Sequence, residues 1–486
     1  MSLDSISYLD TNYFSSLIVD YLAKKDVLKP FYNRFPEIEN FEEQLKEKKG
    51  SYDNSRRQVL VSELKKQYEH ISASEATQKN IELLEQENTF TVTTGHQLNL
   101  FTGPLYFLYK IVTTINLASE LKNKYPDNNF VPVYWMATED HDFEEINFFH
   151  LHGKKFQWNL PNVEEQGGAV GELPTTGLED VFELFSAEIG NTQNAQQLKE
   201  WFQKAYLEHD NLAAATRFLA NELFKEYGLV ILDGHSRELK KLFVPHMKKE
   251  LLEKASFEAT TSTAGALEKN GYPVQVNPRE INLFYLKKGL RERVIEKDGR
   301  FFVHEQNISW SKEEILELLE REPEKFSPNV IMRPLYQEVI LPNLCYIGGG
   351  GELAYWFELK DYFEKENVPF PVLLLRNSVL LQTEKQDQKR RKLNISLAEL
   401  FLKNHELINR KVRQISNIDI DLSPQKEHLV QQFQQLYELA EKTDKSFLGA
   451  VKAQEVKQLK GLENLEKRLL KAQKRKLQDE VSRIAA

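Results

Sequence analysis

FTVTTGHQLNLFTGP, residues 90–104, opens on FTVTT, which has the pattern of a buried strand. It then passes through a polar link and enters, at Leu105, an apolar pattern of helical spacing that continues to Leu121. FVPVYWM (130–136) reads as a second strand. Strand, helix and strand in this order make a β-α-β unit, and strands joined by such a crossover lie parallel. A parallel sheet is covered on both faces, so its strands read as continuous apolar runs. The pattern returns in GLVILDG (228–234), after a helical stretch over 210–226, and in PVLLLR (371–376), after a helix expected over 352–366. The fold class is therefore α/β, with at least four core strands ending near residue 380.

Around this core the patterning changes. Residues 11–87 carry helix-spaced apolar positions such as Phe14, Leu17, Ile18 and Leu22. INFFHLHGKKFQWNL (146–160) and INLFYLKKGLRERVIEKDGRFFVH (281–304) alternate about glycine-containing turns as hairpins do, and are expected to be insertions spanning about 146–175 and 272–325. The core with these insertions is expected over 1–380. In 381–486 strand patterns fade, while Leu429, Phe433, Leu436, Leu462, Leu465, Leu469 and Ala472 recur at three- and four-residue steps. An antiparallel helical coiled coil is expected there, with SNIDIDLSP (416–424) as its turn and helix start.

Composition narrows the function classes. The 486 residues include 29 Phe and 19 Tyr, enough for a large core in more than one unit. The single cysteine, Cys345, excludes an internal disulfide and a cysteine-held zinc or iron–sulfur centre, and its setting reads as a buried strand. MSLDSISYLD lacks the basic start and apolar stretch of a signal peptide, and no run has the length of a bilayer span, so a cytoplasmic protein with no membrane partner is expected. The net charge of −9 conceals a tail (381–486) with 22 Lys and Arg against 15 Asp and Glu, which leaves −16 for the remainder. The tail's signs are interleaved, the pattern of a solvated helical surface and not of a nucleic-acid partner.

In an open parallel sheet ligands bind beyond the carboxyl ends of the strands, and that rule ranks the motifs. Gly95, His96 and Gln97 follow the first strand, with Pro104 expected to open the next helix and its dipole to favour an anion. ATEDHDFEEIN (137–147) follows the second, with five carboxylates (Glu139, Asp140, Asp142, Glu144, Glu145) flanking His141. Asp140 and His141 are candidates for base and orienter, against the plainer reading of a solvated loop. CYIGGGGELAYWFELK (345–360) brings Gly348, Gly349, Gly350 and Gly351 to a helix start beside Tyr355 and Trp356, without the Gly-Lys-Ser/Thr of a Walker loop. Arg333 and Gln337 in an apolar context, and Arg376 at the last strand's end, want a carboxylate or phosphate partner, whether a ligand or the acidic loop.

TTGHQLNLFTGPLYFLYK (93–110), VPVYWMATEDHDFEEIN (131–147), RPLYQEVILP (333–342) and GGGGELAYW (348–356) together resemble the bacillithiol biosynthesis cysteine-adding enzyme family, in the same order along the chain. The resemblance implies a Rossmann-like core with connecting insertions and a C-terminal α-helical coiled coil used for homodimerisation. It also implies a ligase that joins cysteine to glucosaminyl-malate, giving the low-molecular-weight thiol bacillithiol. Many relatives are expected to carry Gly-Gln-Gln where this chain has Gly95-His96-Gln97, so Gln97 carries over while His96 has no catalytic counterpart. Relatives are also expected to continue beyond the coiled coil, which makes Ala486 an early end.

Amide formation from a free carboxylate is uphill in water, so ATP or another nucleotide is expected as activator. The link at 95–97 has the placement of the His-containing signature of class I aminoacyl-tRNA synthetases, although no KMSKS-like loop accompanies it. The expected assignment puts Asp140, His141, Asp142 and Gln97 in the chemistry. Gly95, His96, Glu139, Arg333, Gln337, Glu352, Tyr355 and Arg376 bind substrate, Gly348 to Gly351 hold nucleotide, and no metal ligand is assigned. Two other readings stand beside it: a metal-dependent hydrolase using the acidic loop 139–145, and a non-catalytic nucleotide-binding scaffold.

Overall fold

A computed structural model describes residues 3–161, 167–443 and 445–485. Residues 162–166, inside the first expected insertion, lie outside the described residues, as do Asp444, Met1, Ser2 and Ala486, the position of the expected early end. Five strands form the central sheet: β1 (Thr89–His96), β2 (Asn129–Met136), β3 (Val230–Asp233), β4 (Asn343–Gly348) and β5 (Val372–Leu375). All pairings are parallel, in the order β5-β4-β1-β2-β3.

β1 is buried from Thr89 to Thr94, and its Thr, Val and Phe residues suit a pleated surface covered on both sides. α1 (Tyr106–Lys124) buries Phe107, Ile111, Thr114, Ala118 and Leu121, a helical stripe. Leu117, Ala118 and Leu121 share one apolar cluster with Phe90, Val92, Phe130 and Cys345. Cys345 is thus a core residue, and burial pushes its thiol pKa well up.

The link after β1 departs from expectation. β1 runs on through Gly95 and His96, which pair with Trp135 and Met136 of β2. Pro104 does not open the helix, because a 3-10 turn over Leu100–Thr102 intervenes and Leu105 caps α1. Phe101, Thr102 and Gly103 all have positive φ (47°, 70° and 58°), a conformation that side-chain-bearing residues avoid. Packing holds it: the Phe101 ring lies 5.1–5.4 Å from those of Phe149, Phe185 and Phe202, and its N–H donates to Tyr206 Oη at 2.8 Å.

The remaining elements carry the site's walls. Phe148–Leu151 and Lys154–Gln157 form a hairpin, followed by helices over Leu178–Ile189, Gln193–Tyr206 and Leu212–Phe224. α2 (Arg237–Glu253) follows β3. The second insertion folds as an antiparallel sheet through Leu283–Lys287, Leu290–Lys297 and Arg300–Val303, whose far edge, Phe326–Pro328, lies just past residue 325. α3 (Met332–Ile340) precedes β4 and α4 (Gly350–Phe357) follows it. The helix expected over 352–366 is in fact two, α4 and Lys360–Lys365.

The chain divides into two compact units, Ser16–Val379 and a second made of Met1–Ser15 with Leu380–Ala486. The first residues thus group with the tail and not with the core, through contacts such as that of Tyr13 with Phe401 (ring centroids 5.6 Å apart). The tail holds α5 (Asn404–Ile415), α6 (Ser423–Ala440), α7 (Lys445–Lys476) and α8 (Gln478–Ala485). Residues 416–422 join α5 to α6, so the reversal between the long helices α6 and α7 falls later, after Ala440. Phe433, Ala440 and Val451 pack between them, while Leu436 and Leu465 point outward. Among the described residues no helix is long and apolar enough to cross a membrane.

Candidate active site

The sheet order places the site. From β1 the chain moves outward through β2 and β3, then returns to β4 on β1's other side, so the loops leaving β1 and β4 diverge and open a crevice at their carboxyl ends. A cleft of about 410 Å³ lies there, lined by Gly95 and His96 at the end of β1, Gln97 just after it, Asp140 after β2, Gly349 to Gly351 after β4, and Arg376 after β5. α1 supplies Tyr106 and Lys110, α3 supplies Arg333 and Gln337, and α4 supplies Glu352, Tyr355 and Trp356.

One wall is cationic. Lys110 is 1% exposed on the apolar stripe of α1. Its ammonium is held by the Gly95 carbonyl and by Glu352 at 2.8 Å. Glu352 also accepts from Tyr346 Oη and the Gly349 N–H, both at 2.8 Å. Burial opposes its charge, but Lys110 and these hydrogen bonds keep its pKa below the ordinary value. Glu352 therefore builds the wall through its protein partners, while its side chain also lines the cleft. Among the described residues no carboxylate ion-pairs with Arg333 or Arg376. The Arg376 guanidinium lies 5.0 Å from the Tyr106 ring and donates to the Asn377 carbonyl at 3.1 Å, while its buried Nε has no partner. Gly350 and Gly351 precede the first turn's bond from Leu353 N–H to the Gly349 carbonyl (2.9 Å), so their N–H groups are among those a helix start leaves free for an anion.

The opposite wall is acidic. Gln97 Nε2 donates to Asp140 Oδ2 (3.3 Å) and Glu145 Oε2 (3.1 Å). Burial alone would raise the Asp140 pKa, but the charges of Arg333 and Arg291 and the bond from the His141 backbone N–H hold it far below the ordinary value. Asp140 is thus a persistent anion, suited to orienting a cationic or N–H-bearing group and poorly suited to taking a proton. Burial and the neighbouring Asp140 charge raise the Asp142 carboxyl instead. His96 packs edge-on to Tyr106 (5.4 Å) with its Nε2 buried and unpartnered. Burial, Lys110 and Arg376 push its pKa well down, so the ring is neutral. The Tyr355 phenol is raised to about 12 by burial and by Glu352, and stays protonated.

Glu139 faces away into a smaller adjoining pocket. There it pairs with Lys240 of α2, meets His235 Nδ1 at 2.8 Å and accepts from Ser327 Oγ at 2.9 Å. Burial raises its pKa but Lys240 and His235 outweigh it, giving about 2. Burial lowers that of His235, yet Glu139 and Glu172 (Nε2–Oε1 3.2 Å) lift it to about 9. Glu139 thus buttresses the acidic loop from behind and does not reach the cleft.

Of the residues expected from sequence, Gly95, His96, Gln97, Asp140, Arg333, Gln337, Glu352, Tyr355, Arg376 and Gly349 to Gly351 share one cleft. Gly348 is apart: a Cβ there would come within 3.1 Å of Tyr346, Glu352 and Leu353, so its smallness serves packing. His141 and Asp142 flank Asp140 but are not among the residues that line the cleft. Asp140, His141 and Asp142 bring ligand atoms within 4.8 Å of one another, but a guanidinium, that of Arg291, faces the imidazole at 3.0 Å and opposes a cation there. Sequence reading passed over Lys110, Arg291, His235 and Lys240. Lys110 had a signal, a lysine on the apolar stripe of α1, and Lys240 had the same one on α2, where it is buried with Leu239, Phe243 and Met247.

Comparison with known proteins agrees with this architecture. Residues 1–377 match the family described as "Bacillithiol biosynthesis BshC, N-terminal Rossmann-like domain", and residues 379–486 match "Bacillithiol biosynthesis BshC, C-terminal coiled-coil domain". The chain is 66% identical to a protein of Christiangramia forsetii and 60% identical to one of Flavobacterium johnsoniae, in each case over 100% of this chain and 90% of the relative. A protein of Staphylococcus saprophyticus is 30% identical over 74% of this chain and 67% of its own length. All three carry the name "Putative cysteine ligase BshC". With both matches together running nearly end to end, the chain belongs to the bacillithiol biosynthesis BshC family.

Proposed function

We propose that this protein is a cytoplasmic cysteine ligase that forms an amide between the cysteine carboxylate and the amine of glucosaminyl-malate, giving bacillithiol. The observation that carries this reading is the pairing of walls in one cleft. Among the described residues Arg333 and Arg376 have no carboxylate ion-pair partner and stand with the Gly350 and Gly351 amides of α4 on one side, and an ionised Asp140 clamped by Gln97 stands on the other. The first wall suits carboxylate or phosphate oxygens, and the second suits an amine. The cysteine ligase name of the relatives points the same way.

A nucleotide, when bound, would supply the activation that a free carboxylate lacks. The orphaned Arg376 Nε and the amides of Gly350 and Gly351 fit its phosphates. The chain's own residues do the rest: Lys110 and Glu352 keep the wall rigid, Arg333 and Arg376 hold anionic oxygens, and Asp140 orients the amine by accepting its N–H. Tail helices with outward Val430, Leu436, Leu439, Val456 and Leu465 support a homodimer, which sedimentation of the full chain would read.

The test is a mass-spectrometric assay with glucosaminyl-malate, cysteine and ATP. Wild type should form bacillithiol and Asp140→Ala should lose it. No product under any nucleotide condition would remove the reaction from this protein. The cluster of Asp140, His141 and Asp142 is the one observation favouring a metal-dependent hydrolase, and a stoichiometric tightly bound transition metal in the purified protein would revive that reading.

A further inference from the structure

The second insertion reaches the acidic loop through one side chain. Arg291, on the strand Leu290–Lys297, is 6% exposed. Its Nη1 lies 3.0 Å from His141 Nδ1 and its Nη2 lies 3.5 Å from Ser327 Oγ, which itself donates to Glu139. The guanidinium carbon lies over Phe284, 4.0 Å from the ring centroid. Arginine has five N–H donors, no acceptor, and does not lose its proton in proteins. A 3.0 Å contact to a ring nitrogen therefore requires the lone pair on that nitrogen.

The other neighbours of the ring agree. Asp140 Oδ1 is 3.6 Å from Nδ1, too far for a hydrogen bond, and takes its bond from the His141 backbone N–H at 2.9 Å instead. Nε2 looks outward, 3.9 Å from Asp142 Oδ1, on a side chain 39% exposed. Which imidazole nitrogen carries the proton is set by the bond the other one makes.

We infer that Arg291 is a positioning residue that fixes the tautomer of His141, leaving Nδ1 bare and the proton on Nε2, so that His141 meets a substrate as a hydrogen-bond donor and not as a base. The tautomer stands on the geometry alone, while its consequence for turnover rests on the ligase reading.

The test is nitrogen NMR of the full chain carrying ¹⁵N-histidine at about pH 8.5, above the ordinary imidazole range, with the His141 signals identified by their loss in His141→Gln. Wild type should show a bare Nδ1 and a protonated Nε2. Arg291→Met removes the donor and leaves Nδ1 facing Asp140, so the tautomer ratio should move about tenfold or more toward Nδ1–H. Arg291→Lys keeps a cationic donor and should return the pattern toward wild type. A protonated Nδ1 in the wild type, or an unchanged ratio in Arg291→Met, overturns the inference. Should Arg291→Met fail to fold, the wild-type spectrum alone decides. A bare Nδ1 in a protein without ligase turnover would defeat the ligase reading and leave the tautomer assignment standing. Turnover with a protonated Nδ1 would do the reverse.

Discussion

Gln97 Nε2 lies 3.3 Å from Asp140 Oδ2 and 3.1 Å from Glu145 Oε2, so a single amide ties the loop after β2 to the end of β1. Gln97→Glu changes little in shape but replaces the shared donor with a third carboxylate. A lost hydrogen bond to a charged group is worth about 1.5–3 kcal/mol, so ligase kcat/KM should fall by about 10- to 100-fold. Steady-state kinetics would check this. Gln97→Glu with wild-type kinetics would show that the clamp is not used in turnover.

Lys110 and Glu352 form a pair that is largely withdrawn from water. Removing one partner strands the other's charge, and Lys110→Met should cost about 3 kcal/mol of stability. Adding Glu352→Gln should recover part of that loss. Urea denaturation of the two single variants and the double variant measures the coupling directly.

Among the described residues Arg376 has no carboxylate to leave behind, so Arg376→Gln should barely alter the melting temperature. It should raise KM for an anionic substrate or nucleotide about tenfold or more, with the largest effect at low salt. Titration of each ligand by calorimetry would identify which of them Arg376 holds.

The half-buried pair of His235 and Glu139 behind the acidic loop sets a pH dependence. His235 is raised to about 9 from an ordinary value near 6.5, so its stabilising share is complete below about pH 6.5 and is lost as pH rises through 9. Glu139 is lowered to about 2, so its share is present above about pH 4.5 and is lost as pH falls through 2. Unfolding free energy should therefore decline between about pH 6.5 and 9, and His235→Asn should flatten that decline. An unchanged slope in chemical denaturation across this range would contradict the pairing.

Gly351 has open space where a Cβ would stand. Gly351→Ala should leave the fold intact and strengthen α4 by about 0.5–1 kcal/mol. If the amides of α4 receive phosphate, the added methyl should also weaken nucleotide binding severalfold. Gly348→Ala meets Tyr346 and Leu353 and should destabilise the protein instead. Thermal melts with and without ATP separate the two effects.

Much of this protein was legible in the chain alone. Apolar runs of the right length located the strands of the parallel sheet, and the rule for ligands in such sheets brought Gly95, Gln97, Asp140, Gly349 to Gly351 and Arg376 to one edge with no knowledge of tertiary contacts. These signals are local: they depend on residues a few positions apart, so composition and spacing express them. The turn at Leu100–Thr102 was not legible, because its positive φ angles are held by the Phe149 ring of the first insertion and by the Phe185 and Phe202 rings of the helices that follow it.

The partners of buried charges were not legible either. Lys110 meets Glu352, Glu139 turns away to Lys240, and Arg291 reaches His141 from another sheet. A carboxylate in ATEDHDFEEIN looks the same on paper whether it faces the cleft or a lysine behind it. The sequence determined the scaffold and the inventory of chemical groups at its edge. Tertiary structure decided which of those groups are spent on one another and which stay open to a ligand, because a charge withdrawn from water takes its compensation from whatever element packs against it.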